Sequence, residues 1–195
     1  MSITAVILAG GRGSRLGGAD KARVRIGGAT LLSRAVSAAR DAGCTSVTVA
    51  GPDPADPAVA GVAWVREDPP FTGPAAALVA VLGTAAAETD WTLVLACDLV
   101  RPDLAVQQLL RDLPLLPADT DGLCLADASG RPQWLTGIYR TRPLREAASA
   151  IPDAGRDAAV RALMDDLAIA AVRAAPEAIA DIDTWDDLRE WEGTV

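Results

Sequence analysis

An open, mostly parallel α/β sheet with helices on both faces is the fold class that this sequence predicts, and three observations predict it. Ile3 to Leu8 is a short apolar run that gives way at once to glycines, and Trp91 to Ala96 is a second such run, ending in Cys97-Asp98. Strands buried on both faces read as continuous apolar stretches of this kind, without the alternation of a half-exposed strand. Between them, strand-like and helix-like segments follow one another as β-α-β-β-α-β, the order of a three-layer, Rossmann-like architecture.

Each element has its own local reason. Thr30 suits the N-cap of a helix whose apolar positions Leu31, Leu32, Ala35, Val36, Ala38 and Ala39 recur at helical spacing up to Gly43. Val47 to Ala50 reads as the second strand, closed by the turn-rich stretch Gly51 to Pro57, and Val62 to Val65 as the third. Pro74 fits the first turn of an alanine-rich helix that runs to about Ala87. The second half is less regular. Pro102 to Leu113, Pro143 to Ala150, Ala158 to Leu167 and Thr184 to Trp191 are expected as helices, and Gly122 to Ala126 and Leu135 to Tyr139 as strands. With 195 residues and no linker or repeat, residues 1–195 are expected to form one domain.

Composition narrows the chemistry. Half the residues are apolar and 23% are charged, the balance of a folded protein. The apolar-rich stretch Pro74 to Ala87 is shorter than the roughly 20 residues that cross a bilayer, and Met1 leads into a strand without a basic leader, so no membrane partner and a cytoplasmic location are expected. A net charge of −8 argues against a nucleic-acid partner. Cys44, Cys97 and Cys124 are odd in number and lack metal-ligand spacing, which points to reduced core thiols. The chain has no histidine, which removes imidazole bases, histidine triads and histidine-ligated metals. Chemistry is left to carboxylates, cations, backbone amides, hydroxyls or a metal.

In an open α/β sheet, ligands bind beyond the carboxyl ends of the strands. After the first strand comes Leu8-Ala9-Gly10-Gly11-Arg12-Gly13-Ser14-Arg15-Leu16-Gly17-Gly18-Ala19-Asp20-Lys21. Its glycines allow backbone amides to approach anionic oxygens, while Arg15 and Lys21 can neutralise a polyphosphate. Lys21 is the single lysine of an otherwise arginine-only set, so its compact ammonium is expected to matter. A dinucleotide fingerprint fails because Leu16 stands where a third glycine is needed, and a phosphate loop of the Walker type fails because Ala19 stands at its lysine. Asp98, at the end of the Trp91 strand, is placed to hold Mg²⁺. Asp68, in the proline-stiffened stretch Glu67 to Pro74, can accept hydrogen bonds from a base or ribose.

These residues carry a resemblance. Leu8 to Lys21 is similar to the Leu-Ala-Gly-Gly-x-x-x-Arg-Met-Gly-x-x-x-Lys signature of the molybdenum cofactor guanylyltransferases, within the nucleotidyltransferase superfamily of nucleotide-diphospho-sugar transferase fold. Gly73-Pro74-Ala75-Ala76-Ala77 resembles that family's Gly-Pro-Leu-Ala-Gly, Ala96-Cys97-Asp98 its Pro-Cys-Asp, and Asp181-Ile182-Asp183-Thr184-Trp185-Asp186-Asp187-Leu188 its Asn-Ile-Asn-Thr-Pro-Glu-Asp-Leu. The resemblance implies transfer of GMP from GTP to molybdopterin carrying molybdenum, with release of pyrophosphate. It places guanine against Leu8, Ala9 and Gly10, the phosphates at Lys21, a nucleoside contact at Asp68, and Mg²⁺ on Asp98; Gly11 and Arg15 join them as candidate nucleotide-binding and catalytic residues from the glycines and charge of the same loop. It further implies a nucleotide-binding N-terminal half, an acceptor-binding C-terminal half, and other molybdenum cofactor biosynthesis proteins as partners. An acceptor phosphate is already ionised at neutral pH, so the missing histidine is no obstacle.

The chain departs from the family pattern at Leu16, which replaces methionine, at Ala50-Gly51-Pro52, where an asparagine is frequent, and at Asp181 and Asp183, which replace two asparagines. The two extra acids imply either help in metal binding or a changed pterin site. Two other readings stay open: a CTP-dependent enzyme acting on the same pterin, against which Gly10-Gly11 speaks, and a nucleotide-binding relative without catalysis.

Overall fold

A computed structural model describes residues 1–10, 21–52, 56–84 and 89–192. Gly11 and Arg15 lie outside the described residues, as does the expected end of the alanine-rich helix at Ala87. In chain order the strands are β1 (Ile3–Leu8), β2 (Arg25–Ile26), β3 (Ala29–Thr30), β4 (Ser46–Ala50), β5 (Ala63–Val65), β6 (Trp91–Ala96), β7 (Gly122–Ala126), β8 (Pro132–Arg140) and β9 (Ile169–Arg173). The α-helices are α1 (Leu31–Asp41), α2 (Pro74–Gly83), α3 (Pro102–Asp112), α4 (Thr141–Ala150), α5 (Arg161–Met164) and α6 (Trp185–Glu192).

The main sheet has seven strands in the order β5-β4-β1-β6-β8-β7-β9. The pairs β5–β4, β4–β1, β1–β6 and β7–β9 are parallel, whereas β8 runs antiparallel to both of its neighbours. All of β1 is buried, as its unbroken apolar sequence requires. Ile3, Ala5 and Ile7 face one way, onto α1 and α3; Val6 and Leu8 face the other, onto α2 and α4. A third, smaller core joins Val24, Ile26 and Leu31 to Val100, Ile182 and Leu188. It gathers the β2–β3 hairpin, the residues after β6 and the start of α6 into one patch.

The local readings hold where the signal is strong. Thr30 caps α1, its hydroxyl accepting from the Ser33 amide at 3.0 Å. Thr184 and Asp187 cap α6 reciprocally, Asp187 Oδ2 accepting from Thr184 N at 2.7 Å and Thr184 Oγ1 from Asp187 N at 3.2 Å. The helix expected over Ala158 to Leu167 shrinks to α5. It is preceded by a tight loop in which Asp153, Ala154 and Asp157 adopt positive φ and the Asp157 amide donates to the Thr72 carbonyl, and residues 158–160 continue that loop. The strand β9 had no counterpart in the sequence reading, nor did the β2–β3 hairpin.

One close packing fixes the middle of the sheet. Tyr139 is fully buried and its hydroxyl donates to the Trp134 carbonyl at 2.7 Å. A Cβ at Gly137 would fall 2.5 Å from that hydroxyl oxygen, and one at Gly122 would fall 2.7 Å from the ring. The two glycines therefore make room for the tyrosine. Gly137→Ala should lower the unfolding free energy in urea by about 1–3 kcal/mol through overpacking, and Tyr139→Phe by about 1 kcal/mol through the lost hydrogen bond; an unshifted urea midpoint for Gly137→Ala would contradict this packing.

Candidate active site

Three strand ends and one returning segment converge at the C-terminal edge of the parallel strands. Past Leu8, the Ala9 amide donates to the Ala50 carbonyl at 2.9 Å and the Cys97 amide to the Leu8 carbonyl at 3.0 Å, so β1 stays locked between β4 and β6 until the chain reaches exposed Gly10. Ala50 is buried and offers no polar side chain at the position where asparagine is frequent. Gly51 packs closely there, because a Cβ would meet the Ala9 backbone at 3.2 Å and that backbone would have to give way by a few tenths of an ångström.

Asp98 follows β6, and the chain brings two further acids to it. The Val100 amide donates to the Ala180 carbonyl at 2.9 Å, the Ile182 amide to the Asp98 carbonyl at 3.1 Å, and Leu99 bridges Asp181. Ile182 is fully buried in the third core, which pins this pairing and leaves the flanking Asp181 and Asp183 beside Asp98. Each of the three offers a carboxylate oxygen within 4.8 Å of the others.

Lys21 completes the cluster. Its Nζ donates to Asp98 Oδ2 at 3.1 Å and to Asp183 Oδ1. A 3-10 turn, Lys21–Arg23, sets it there and leads into Val24 of the third core. Burial works against the charged ammonium, but the hydrogen bond to Asp183 and the charge of Asp98 outweigh it, and the Lys21 pKa ends above the ordinary lysine value. Asp181 is shifted upward too, first by desolvation where protein crowds one side of it, then by the charges of Asp98 and Asp183, with Lys21 opposing. Its residue surface is otherwise open to solvent. Among the described residues, one ammonium thus lies among three carboxylates.

Two small cavities meet at this edge and share Leu8, Gly10 and Pro74. One, of about 100 Å³, reaches Ala9, Lys21, Ala96, Cys97, Asp98 and Leu135. The other, of about 230 Å³, reaches Glu67, Phe71, Gly73 and Ala77. The larger lies below the roughly 300–1,000 Å³ of pockets that enclose a whole drug-sized ligand, a scale that suits one ring system. Leu8, Ala9, Gly10, Lys21 and Asp98 are thus brought together as expected. Asp68 is exposed and lines neither cavity; its neighbour Glu67 does. A bigger cavity, of about 750 Å³, lies between α2 and α4 beside Thr89, Thr141, Arg142 and Arg145. That is the amino end of β6, away from the glycines and acids, so it is not the site described here.

Known proteins fit this geometry. Residues 5–171 match the MobA-like NTP transferase domain. The chain belongs to the MobA-like NTP transferase family. It is 37% identical over 151 residues to a probable molybdenum cofactor guanylyltransferase of Synechococcus elongatus, covering 72% of this chain and 73% of that one. It is 32% identical over 163 residues to a molybdenum cofactor guanylyltransferase of Methylibium petroleiphilum, covering 79% and 78%. A solved nucleotidyl transferase from Methanothermobacter shares the fold, with a TM-score of 0.72 at 23% identity over 99% of this chain and 97% of that one. As a MobA-like NTP transferase the chain is a nucleotidyltransferase. Asp181 and Asp183 lie beyond the matched domain, and the sequence offered help in metal binding for them only as one of two alternatives. The available signal was Asp-x-Asp ahead of a capping threonine; the pairing with residues 98–100 has no local signature. Among the described residues no helix is long and apolar enough to cross a membrane.

Cys44 and Cys124 do not supply the chemistry. Burial pushes the Cys44 thiol up to about 11 and that of Cys124 up to about 12, so at neutral pH both are protonated and poorly nucleophilic. Iodoacetamide at pH 7.5 should leave both unmodified in the native protein for an hour, by mass spectrometry, and label both after denaturation. Rapid native labelling of Cys44 would contradict its burial.

Proposed function

We propose that the protein transfers GMP from GTP to molybdenum-bearing molybdopterin, releasing pyrophosphate, and that residues 1–195 act as one domain in doing so. The observation that carries this reading is the convergence of Lys21, Asp98, Asp181 and Asp183 on a cleft that begins at the Leu8-Ala9-Gly10 backbone, in a chain 37% identical to a probable enzyme of that activity. The base lies against Leu8 to Gly10 in the larger cavity, and the triphosphate runs past Lys21 toward the acids, with Gly11 and Arg15 assigned to the phosphates on their sequence positions. Asp68 is assigned a nucleoside contact from the loop rim.

The acids suit Mg²⁺. Three carboxylate oxygens within one small volume form an oxygen-only donor set. Asp98, with Asp181 and Asp183, would hold the ion, which when bound neutralises charge on phosphate oxygens. Lys21 meets the substrate by exchanging a carboxylate partner for a phosphate oxygen. Its ammonium, already held at the mouth of the cleft, stabilises negative charge that builds at the α-phosphate. The acceptor phosphate attacks as an anion, so the protein must position and neutralise, with no proton to remove. A MobA-like NTP transferase without histidine is equipped for that.

Pyrophosphate release from the four nucleoside triphosphates, with and without molybdopterin, tests the reading. GTP with the pterin should be the productive pair, and a preference for CTP would reject the guanylyl assignment. Asp98→Ala should lower turnover by about 10²–10³-fold, the cost of removing one preorganised charge-stabilising group, with an unchanged urea midpoint; near-normal activity would remove Asp98 from the site. Lys21→Arg should raise the GTP dissociation constant despite conserving charge, because a planar guanidinium does not fit between two carboxylates as an ammonium does. Unchanged affinity by calorimetry would mean that charge alone matters there.

A further inference from the structure

We infer that Glu67 is the residue that selects guanine, by accepting hydrogen bonds from the N1–H and 2-amino group of the base in the 230 Å³ cavity. The inference rests on the guanylyl reading above and names a residue that the family resemblance does not supply.

Glu67 is half-buried and borders that cavity together with Leu8, Gly10 and Phe71. One carboxylate oxygen, Oε1, accepts from the Phe71 amide at 2.8 Å. Among the described residues, Oε2 has no partner. The loop therefore fixes the carboxylate in place through one lone pair of Oε1 and leaves Oε2 and the second lone pair of Oε1 for a ligand. Phe71 has a matching oddity: its side chain is 51% exposed on a backbone with φ of 68°, and the Arg66 guanidinium sits 5.0 Å from the ring centroid. An aromatic ring held out of the core at the edge of a heterocycle-sized cavity gives that cavity an aromatic wall.

A carboxylate accepts and cannot donate. Guanine presents two adjacent donors on its pairing edge, N1–H and the 2-amino group. Adenine and cytosine instead present a ring-nitrogen lone pair at the matching place, which a carboxylate repels. One side chain thus attracts the right base and disfavours two wrong ones, the combination that specificity requires. Its neighbour Asp68 is exposed and lines neither cavity, so this role does not pass to it.

ITP, which lacks only the 2-amino group, is the probe. Glu67→Gln keeps an amide oxygen for the Phe71 amide but can turn an NH₂ toward the base. In the wild-type full chain with Mg²⁺, kcat/KM should favour GTP over ITP by about 10-fold or more. In E67Q, GTP should fall by about 10- to 100-fold, the scale of one charge-assisted hydrogen bond, and ITP by less, so that the GTP-to-ITP ratio approaches one. Because both nucleotides meet the same folded fraction of enzyme, that ratio is unaffected by any loss of stability. A ratio unchanged by E67Q, or a wild type indifferent to the 2-amino group, would overturn the assignment and leave Glu67 as a loop tie. A wild type that rejects GTP in favour of CTP would instead defeat the guanylyl reading itself.

Discussion

The attraction between one ammonium and a knot of carboxylates is the constraint on which the rest of the structure depends. Asp98, Asp181 and Asp183 would repel one another if nothing else were near, and the Asp181 pKa is pushed upward first by desolvation and then by the charges of the other two. Lys21 offsets some of it, but an ion pair alone does not hold backbone segments in place. The third core does that, with Val24 and Ile26 carrying Lys21 on one side and buried Ile182 carrying the two later acids on the other. Apolar burial pays for an electrostatically unfavourable arrangement, as expected where charge is gathered for use on a ligand.

The cleft separates two kinds of recognition. At the acid end the groups are charged, and under the proposed reading a cation held there lets a flexible polyanion approach. At the Glu67 end the walls are apolar or aromatic, with one carboxylate among them, suited to a rigid heterocycle. Leu8, Gly10 and Pro74 are common to both, so the end of β1 and the start of α2 form the hinge of the partition. The glycines of this segment matter because they keep backbone, and not side chain, at the junction.

Much of this was legible in the sequence. Ile3 to Leu8 and Trp91 to Ala96 could hardly be anything but buried strands, and their ends had to be the ligand edge. The lone lysine and the acid after β6 stood out by residue type and place, and they touch. What stayed hidden was long-range or local in a way that sequence does not report. Nothing near Asp181 announces a partner some eighty positions earlier. The stretch Ile169–Arg173, rich in alanine, has weak strand preference and becomes β9 only because it can pair with β7. Glu67 and Asp68 are chemically alike and adjacent, and only the folded loop decides which of them borders the cavity.

The pairing of residues 98–100 with 180–182 has a consequence for biosynthesis of the protein itself. The strands β1, β4 and β6 are translated first, yet the acid cluster stays incomplete until the later segment has been made and has docked beside Asp98. The full set of charges is therefore assembled only after residues 180–183 have joined the chain.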